Sequence, residues 1–186
     1  MPSSSLPVFH ESPDQAAVHT VTLDELDSPV LKLAADYWRS LRNGRRFPAR
    51  EDLRPRDMTG ILRDMALVKI IDGGADYEYR IVGDAQAQAY SIPLQGRRIS
   101  EISLTAPWFS QIATITYEYV RRSGEPLVLR GRIGREFPEA KFVYNENVFL
   151  PLGANDDAVD HLLIVSTNVF NAFSKNAASR PARSPH

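Results

Sequence analysis

Apolar residues recur three and four positions apart at Val30, Ala34, Tyr37, Trp38 and Leu41, which predicts an amphipathic helix. Ser28 can cap it, Pro29 suits its first turn, and Asn43-Gly44 ends it. A shorter helix is predicted from Pro55, with Met58, Ile61, Leu62 and Met65 on one side, leading into the apolar run Ala66–Ile71. That run reads as a buried strand. After the turn Asp72-Gly73-Gly74, Tyr77, Tyr79 and Ile81 alternate with Glu78 and Arg80, so the two strands form a hairpin.

Beyond Gly83, Asp84–Tyr90 reads as a short helix before Pro93 and Gly96 break the pattern. The longest helix of the second half opens at Thr105 and Pro107 and closes at Ser123-Gly124, with the stripe Trp108, Ile112, Ile115, Thr116, Tyr119. Only strands follow: Leu127–Ile133, Phe142–Leu152 and His161–Val169, spaced for an antiparallel meander. The order predicts an α+β domain with a five-stranded antiparallel sheet, helices on one face and an extra N-terminal helix. The expected organisation is a mobile arm over residues 1–27, in which Val18–Leu26 can pack locally. A helical flank over 28–65, a core over 66–173 and a disordered tail over 174–186 follow.

Composition narrows the chemistry. With 186 residues, 43% of them hydrophobic, the chain can bury a single core. It has no cysteine, which removes disulfides, thiolate nucleophiles, cysteinyl-flavin adducts and sulfur-ligated zinc. Four histidines, two of them (His10 and His186) near the ends, offer little for a metal site. No apolar run is long enough for a membrane span and no secretory signal pattern is present, so a cytoplasmic location is expected.

The net charge of −1 argues against a general attraction to nucleic acid or anionic lipid. Locally, eight arginines (Arg39, Arg42, Arg45, Arg46, Arg50, Arg54, Arg56 and Arg63) crowd one segment. Arginine favours bidentate contacts to carboxylate or phosphate, so the patch reads as a solvated, salt-bridged face or as a docking platform. A nucleic-acid footprint is a weaker reading, because no recognition helix or aromatic-basic stripe accompanies it.

Several short motifs stand in a characteristic order: Tyr37-Trp38, Leu41-Arg42, Gly44-Arg45, Pro48-x-Arg50, Asp52-Leu53, Pro55, Tyr79-Arg80-Ile81-Val82-Gly83, Leu94-x-Gly96 and Leu150-Pro151-Leu152. Across about residues 28–170 the chain resembles a PAS domain, and its flank resembles the bacterial subfamily with a tryptophan-containing N-terminal helix. The resemblance implies a signalling module, with a cavity between sheet and long helix for a cofactor or metabolite. It also implies that the outer sheet face and N-terminal helix make dimer or partner contacts. The known cofactor options narrow at once: flavin and hydroxycinnamoyl adducts need a cysteine. The axial histidine of haem-binding relatives is missing from residues 106–124. The cofactor stays unknown.

Candidate cavity residues are Tyr79, Tyr90, Trp108, Ile112, Tyr119, Leu129, Tyr144 and Glu146. Glu146 lies in an apolar strand between Asn145 and Asn147. It reads either as a carboxylate aimed at a ligand or as part of a bulged, solvent-facing stretch. Candidate partner-binding residues are Tyr37, Trp38, Leu41, Arg42, Arg45, Arg46 and Arg50, with a signalling protein or a second copy as partner. The competing reading folds Trp38 back onto its own sheet. The expectation is a non-catalytic regulatory module that binds a small ligand, a protein partner or both. A ligand-free scaffold or dimerisation module and a cone-fold isomerase-like enzyme are the alternatives.

Overall fold

A computed structural model describes residues 18–132 and 138–170 of the chain. The expected tail over 174–186 and most of the expected arm, residues 1–17, lie outside the described residues. Three strands form the meander: β4 (Leu127–Gly131), β5 (Phe142–Leu152) and β6 (His161–Phe170). The hairpin β2 (Met65–Ile71) and β3 (Asp76–Val82) joins β6, and β1 (His19–Val21) adds to the far edge. The sheet is therefore antiparallel with the order β1-β4-β5-β6-β2-β3, six strands rather than the expected five. The extra strand lies within the expected arm and pairs His19 with Arg130 and Val21 with Val128.

The β2–β3 turn works because Asp72, Gly73 and Gly74 all take positive φ (44°, 67° and 105°), a conformation that glycine adopts without steric cost. Gly83 ends β3 for a different reason. A Cβ there would lie 2.2 Å from the Leu62 carbonyl oxygen and 2.5 Å from that of Arg63, so only glycine lets the two segments pass.

The predicted helix near Pro55 is instead one 3-10 turn, Pro55–Asp57. Met58 and Ile61 are buried, Leu62 is exposed, and Met65 already belongs to β2. Three helices, α2 (Asp84–Ala89), α3 (Ile99–Ile102) and α4 (Pro107–Ser123), gather on one face of the sheet. Gly124, at φ 66°, supplies the left-handed C-cap of α4 and donates to Val120 O.

The extra N-terminal helix α1 (Pro29–Leu41) covers the other face. It buries Leu31, Ala34, Ala35 and Trp38, and the Trp38 indole N–H donates to Pro151 O at 2.8 Å. Ser28 makes no side-chain cap. The start of the helix is held by Glu146, whose carboxylate accepts from the backbone N–H groups of Asp27 (3.1 Å) and Ser28 (3.0 Å). A carboxylate at this end also opposes the positive pole of the helix dipole.

Candidate functional site

The period of two along β5 divides its polar triplet between the two faces. Asn145 and Asn147, with Phe149, point to the α4 side, while Glu146 points to α1. On the α4 side the sheet and helix enclose a cavity of about 80 Å³. Ala66, Tyr79, Leu129, Ile164 and Ser166 complete its floor, and Phe109, Ile112, Ala113, Thr116 and Tyr117 of α4 form its roof. Tyr90 closes one end, edge-on to Phe109 and Phe142 at centroid distances of 5.1 and 5.6 Å.

Most of the lining is apolar, but the polar atoms within it are unusual. The Thr116 hydroxyl and the Asn145 side-chain oxygen are fully buried and have no hydrogen-bond partner. Such atoms are uncommon in native proteins and costly unless satisfied. Tyr79 and Tyr117 satisfy each other, hydroxyl to hydroxyl at 2.5 Å. Burial pushes the pKa of Tyr79, Tyr90 and Tyr117 up, so these phenols remain protonated at neutral pH.

A family model for the PAS domain matches residues 26–165. The chain belongs to the PAS domain family. PAS domains are sensory and signalling modules and typically non-catalytic. Comparisons with curated proteins and with solved structures return no match. Among the described residues, no helix is long and apolar enough to cross a membrane, and no group of three metal-ligating side chains comes together.

Within this PAS domain, Tyr79, Tyr90, Ile112 and Leu129 of the predicted candidates line the cavity. The other four do not. Trp108 is 61% exposed on the outer side of α4, because the buried stripe of that helix is Phe109, Ala113, Thr116, Tyr117 and Val120, one position out of phase with the predicted stripe. Tyr119 and Tyr144 are half-buried away from the cavity. Glu146 is neither a cavity carboxylate nor part of a bulge. It is buried on the opposite face, bonded to Arg130 at 2.7 Å, and pairing with β6 runs unbroken from Tyr144 to Leu152. Burial raises its pKa, but the Ser28 N–H, the Arg130 guanidinium and the Asp27 N–H outweigh that and hold it below the usual carboxylate range.

The residues that the sequence reading missed are Asn145, Asn147, Ser166 and Thr116. Strict alternation along β5 would have put both asparagines on one face. Nothing local indicated which face carries the cavity.

The partner-binding candidates resolve similarly. Trp38 is buried at 1% exposure against its own sheet, so it offers no docking surface. Tyr37 and Leu41 are half-buried, and the Tyr37 hydroxyl accepts the Arg54 N–H. Three of the arginines knit the fold together. Arg42 lies over the Trp38 ring and donates to Arg45 O, Arg45 reaches Gly153 O and Asp156, and Arg46 reaches Ser123 O. Arg50 is exposed. His161, at the start of β6, pairs with Asp160 at 2.7 Å.

Glu118 forms a second electrostatic hub on α4, accepting from Arg121 at 2.6 and 2.7 Å, from Arg122, and from the Tyr77 hydroxyl at 2.8 Å. The Arg121 bonds, with those of Arg122 and Tyr77, hold its pKa at about 2 against the opposing effect of burial. Because the folded pKa lies below the unfolded one, this stabilisation is fully present above about pH 4.5 and is lost as pH falls toward 2. Urea midpoints of wild type and Glu118→Gln at pH 7 and pH 3 should show a larger acid loss in wild type. An equal loss would remove Glu118 from the acid response.

Proposed function

We propose that the chain is a non-catalytic regulatory PAS module, acting in the cytoplasm, that takes a small molecule into the cavity under α4 and passes its occupancy to a protein partner. The observation that carries this reading is the cavity itself: partly enclosed, largely apolar, and holding the buried unpartnered oxygens of Thr116 and Asn145. Tyr79, Tyr90, Ile112 and Leu129 supply the apolar contacts. An isomerase-like reading needs a general acid or base tuned near neutrality in the cavity. Its titratable lining consists of tyrosines whose burial raises their pKa, which argues against that chemistry.

Native mass spectrometry of freshly purified protein, beside a denatured control, tests the proposal. A noncovalent adduct is expected in wild type and lost in Ala113→Leu, which pushes three carbons from the roof into the cavity. Survival of the adduct in that variant would place the ligand elsewhere. An adduct-free spectrum would favour the scaffold reading. The same spectrum reports oligomeric state, and a symmetric dimer through α1 would have to use its outer residues, such as Leu33 at 51% exposure, rather than Trp38.

A further inference from the structure

We propose that the ligand of this cavity is a small uncharged molecule with an apolar body and one polar edge, donating an N–H or O–H to Asn145 and accepting from the Thr116 hydroxyl. This rests on the ligand-binding reading above and adds the chemical class to it.

The charge follows from the lining. The cavity is bounded by aliphatic, aromatic, amide and hydroxyl groups, with no Asp, Glu, Lys, Arg or His among them. An ionised ligand would lose its hydration there without a counter-charge, at a cost of several kcal/mol. The nearest built ion pair on β5, Glu146 with Arg130, sits on the opposite face of the sheet and is already committed to α1.

The polar edge follows from the orphaned atoms. Asn145 and Thr116 are each 2% exposed, and they face the cavity from opposite sides, one from the sheet and one from α4. The Asn145 side-chain oxygen can only accept, whereas the Thr116 hydroxyl can also donate. Asn147 and Ser166, register partners across β5 and β6, extend the same polar strip, and among the described residues neither makes a side-chain hydrogen bond. A ligand that supplies the missing partners recovers part of the cost of leaving them unpaired. One that cannot leaves them buried and unsatisfied.

Size follows from the volume. At about 80 Å³ the cavity is roughly half the 150 Å³ that accommodates benzene, so it fits a five-membered ring or a short chain.

Three probes of five heavy atoms each separate these requirements: pyrazole (neutral, donor and acceptor), furan (neutral, no donor) and propanoate (anionic). Titrations of the full chain, read in 1H–15N spectra at the Asn145 and Asn147 side-chain amides, give the affinities. Pyrazole should shift these signals, furan should bind at least about tenfold more weakly, and the anion should leave them in place. Thr116→Val, which keeps the side-chain shape, should weaken pyrazole about fivefold or more, and an unchanged affinity would take the donor role from the Thr116 hydroxyl. Furan binding as tightly as pyrazole, or the anion binding as well, would overturn the ligand class while leaving the cavity a ligand site. Failure of every probe, together with an adduct-free native spectrum and water alone in the cavity, would overturn both the class and the ligand-binding reading.

Discussion

Trp38→Ala should destabilise the protein by about 3–5 kcal/mol, lowering the melting temperature by roughly 6–20 °C. The indole is 1% exposed, packs with Leu31, Ala34 and Ala35 between α1 and the sheet, and donates to Pro151 O on β5. Truncation leaves a large void in a helix–sheet contact that cannot close without moving α1. It also takes the donor away from the Pro151 carbonyl. Trp38→Phe keeps most of the apolar contact and loses the hydrogen bond, so it should cost about 1–3 kcal/mol. Urea unfolding at several protein concentrations checks the assignment. A ring that serves its own chain gives a loss independent of concentration, whereas one that serves a second copy gives a loss that shrinks on dilution, as the wild-type dimer itself dissociates. A change below about 0.5 kcal/mol would mean that the ring does not hold the helix.

The second large effect is expected at Glu146. Its carboxylate joins three elements: β5, which carries it; β4, through Arg130; and the start of α1, through the N–H groups of Asp27 and Ser28. Its side chain is 4% exposed and that of Arg130 16%. Glu146→Leu leaves a largely buried guanidinium with the exposed carboxylate of Asp27, at 3.1 Å, as its sole counter-charge beside the Glu25 carbonyl oxygen, and frees two backbone donors. Removing one partner of a buried pair costs roughly 3–5 kcal/mol.

The double variant Glu146→Leu/Arg130→Met should recover part of that loss, because no unpaired charge remains. The recovery should stop short of wild type, because the two N–H groups of α1 are still without their acceptor. Full recovery would reduce Glu146 to a simple counter-ion; no recovery would give the whole effect to the helix cap. The pKa of Glu146 is depressed in the folded state, so its contribution is complete above the unfolded carboxylate value and disappears as pH falls through the folded one. Glu146→Leu should therefore differ most from wild type at neutral pH and least in acid.

Glu146 also connects the two faces of the sheet in a way that bears on function. Its immediate neighbours Asn145 and Asn147 line the cavity, while its own side chain anchors α1 on the far side. Under the proposed function, a ligand that shifted β5 at the asparagines would move the anchor of α1 with it, since adjacent residues of a strand share one backbone.

Much of the architecture was legible along the chain. The bounds of α1 and α4 were marked by Pro29 and Asn43-Gly44, and by Pro107 and Ser123-Gly124. The β2–β3 hairpin and the three-strand meander followed from alternation and from the glycine turn. These features are local: a cap, a turn or a period is encoded within a few residues, and the backbone responds to it wherever the segment sits. The family resemblance was legible for the same reason, because it consists of short local motifs in order.

Other features came only from tertiary contacts. In α4 apolar residues lie on both sides, so two overlapping stripes satisfy the helical period. Trp108 and Ile115 fit one of them as well as Phe109 and Ala113 fit the other. Which stripe is buried depends on where the sheet lies. Strand β1 has three residues and little apolar pattern, because an edge strand is recruited by free backbone groups on its neighbour rather than by its own side chains.

The triplet Asn145-Glu146-Asn147 shows the division most clearly. Its alternation was present in the sequence from the start, and with it the certainty that a regular strand would send the asparagines one way and the carboxylate the other. That the asparagines meet α4 and the carboxylate meets Asp27, 119 residues earlier in the chain, was decided by which helix closes which face. Side-chain periodicity is a local property of the backbone. The assignment of a face to the core, the cavity or a helix cap is a property of pairings between distant segments.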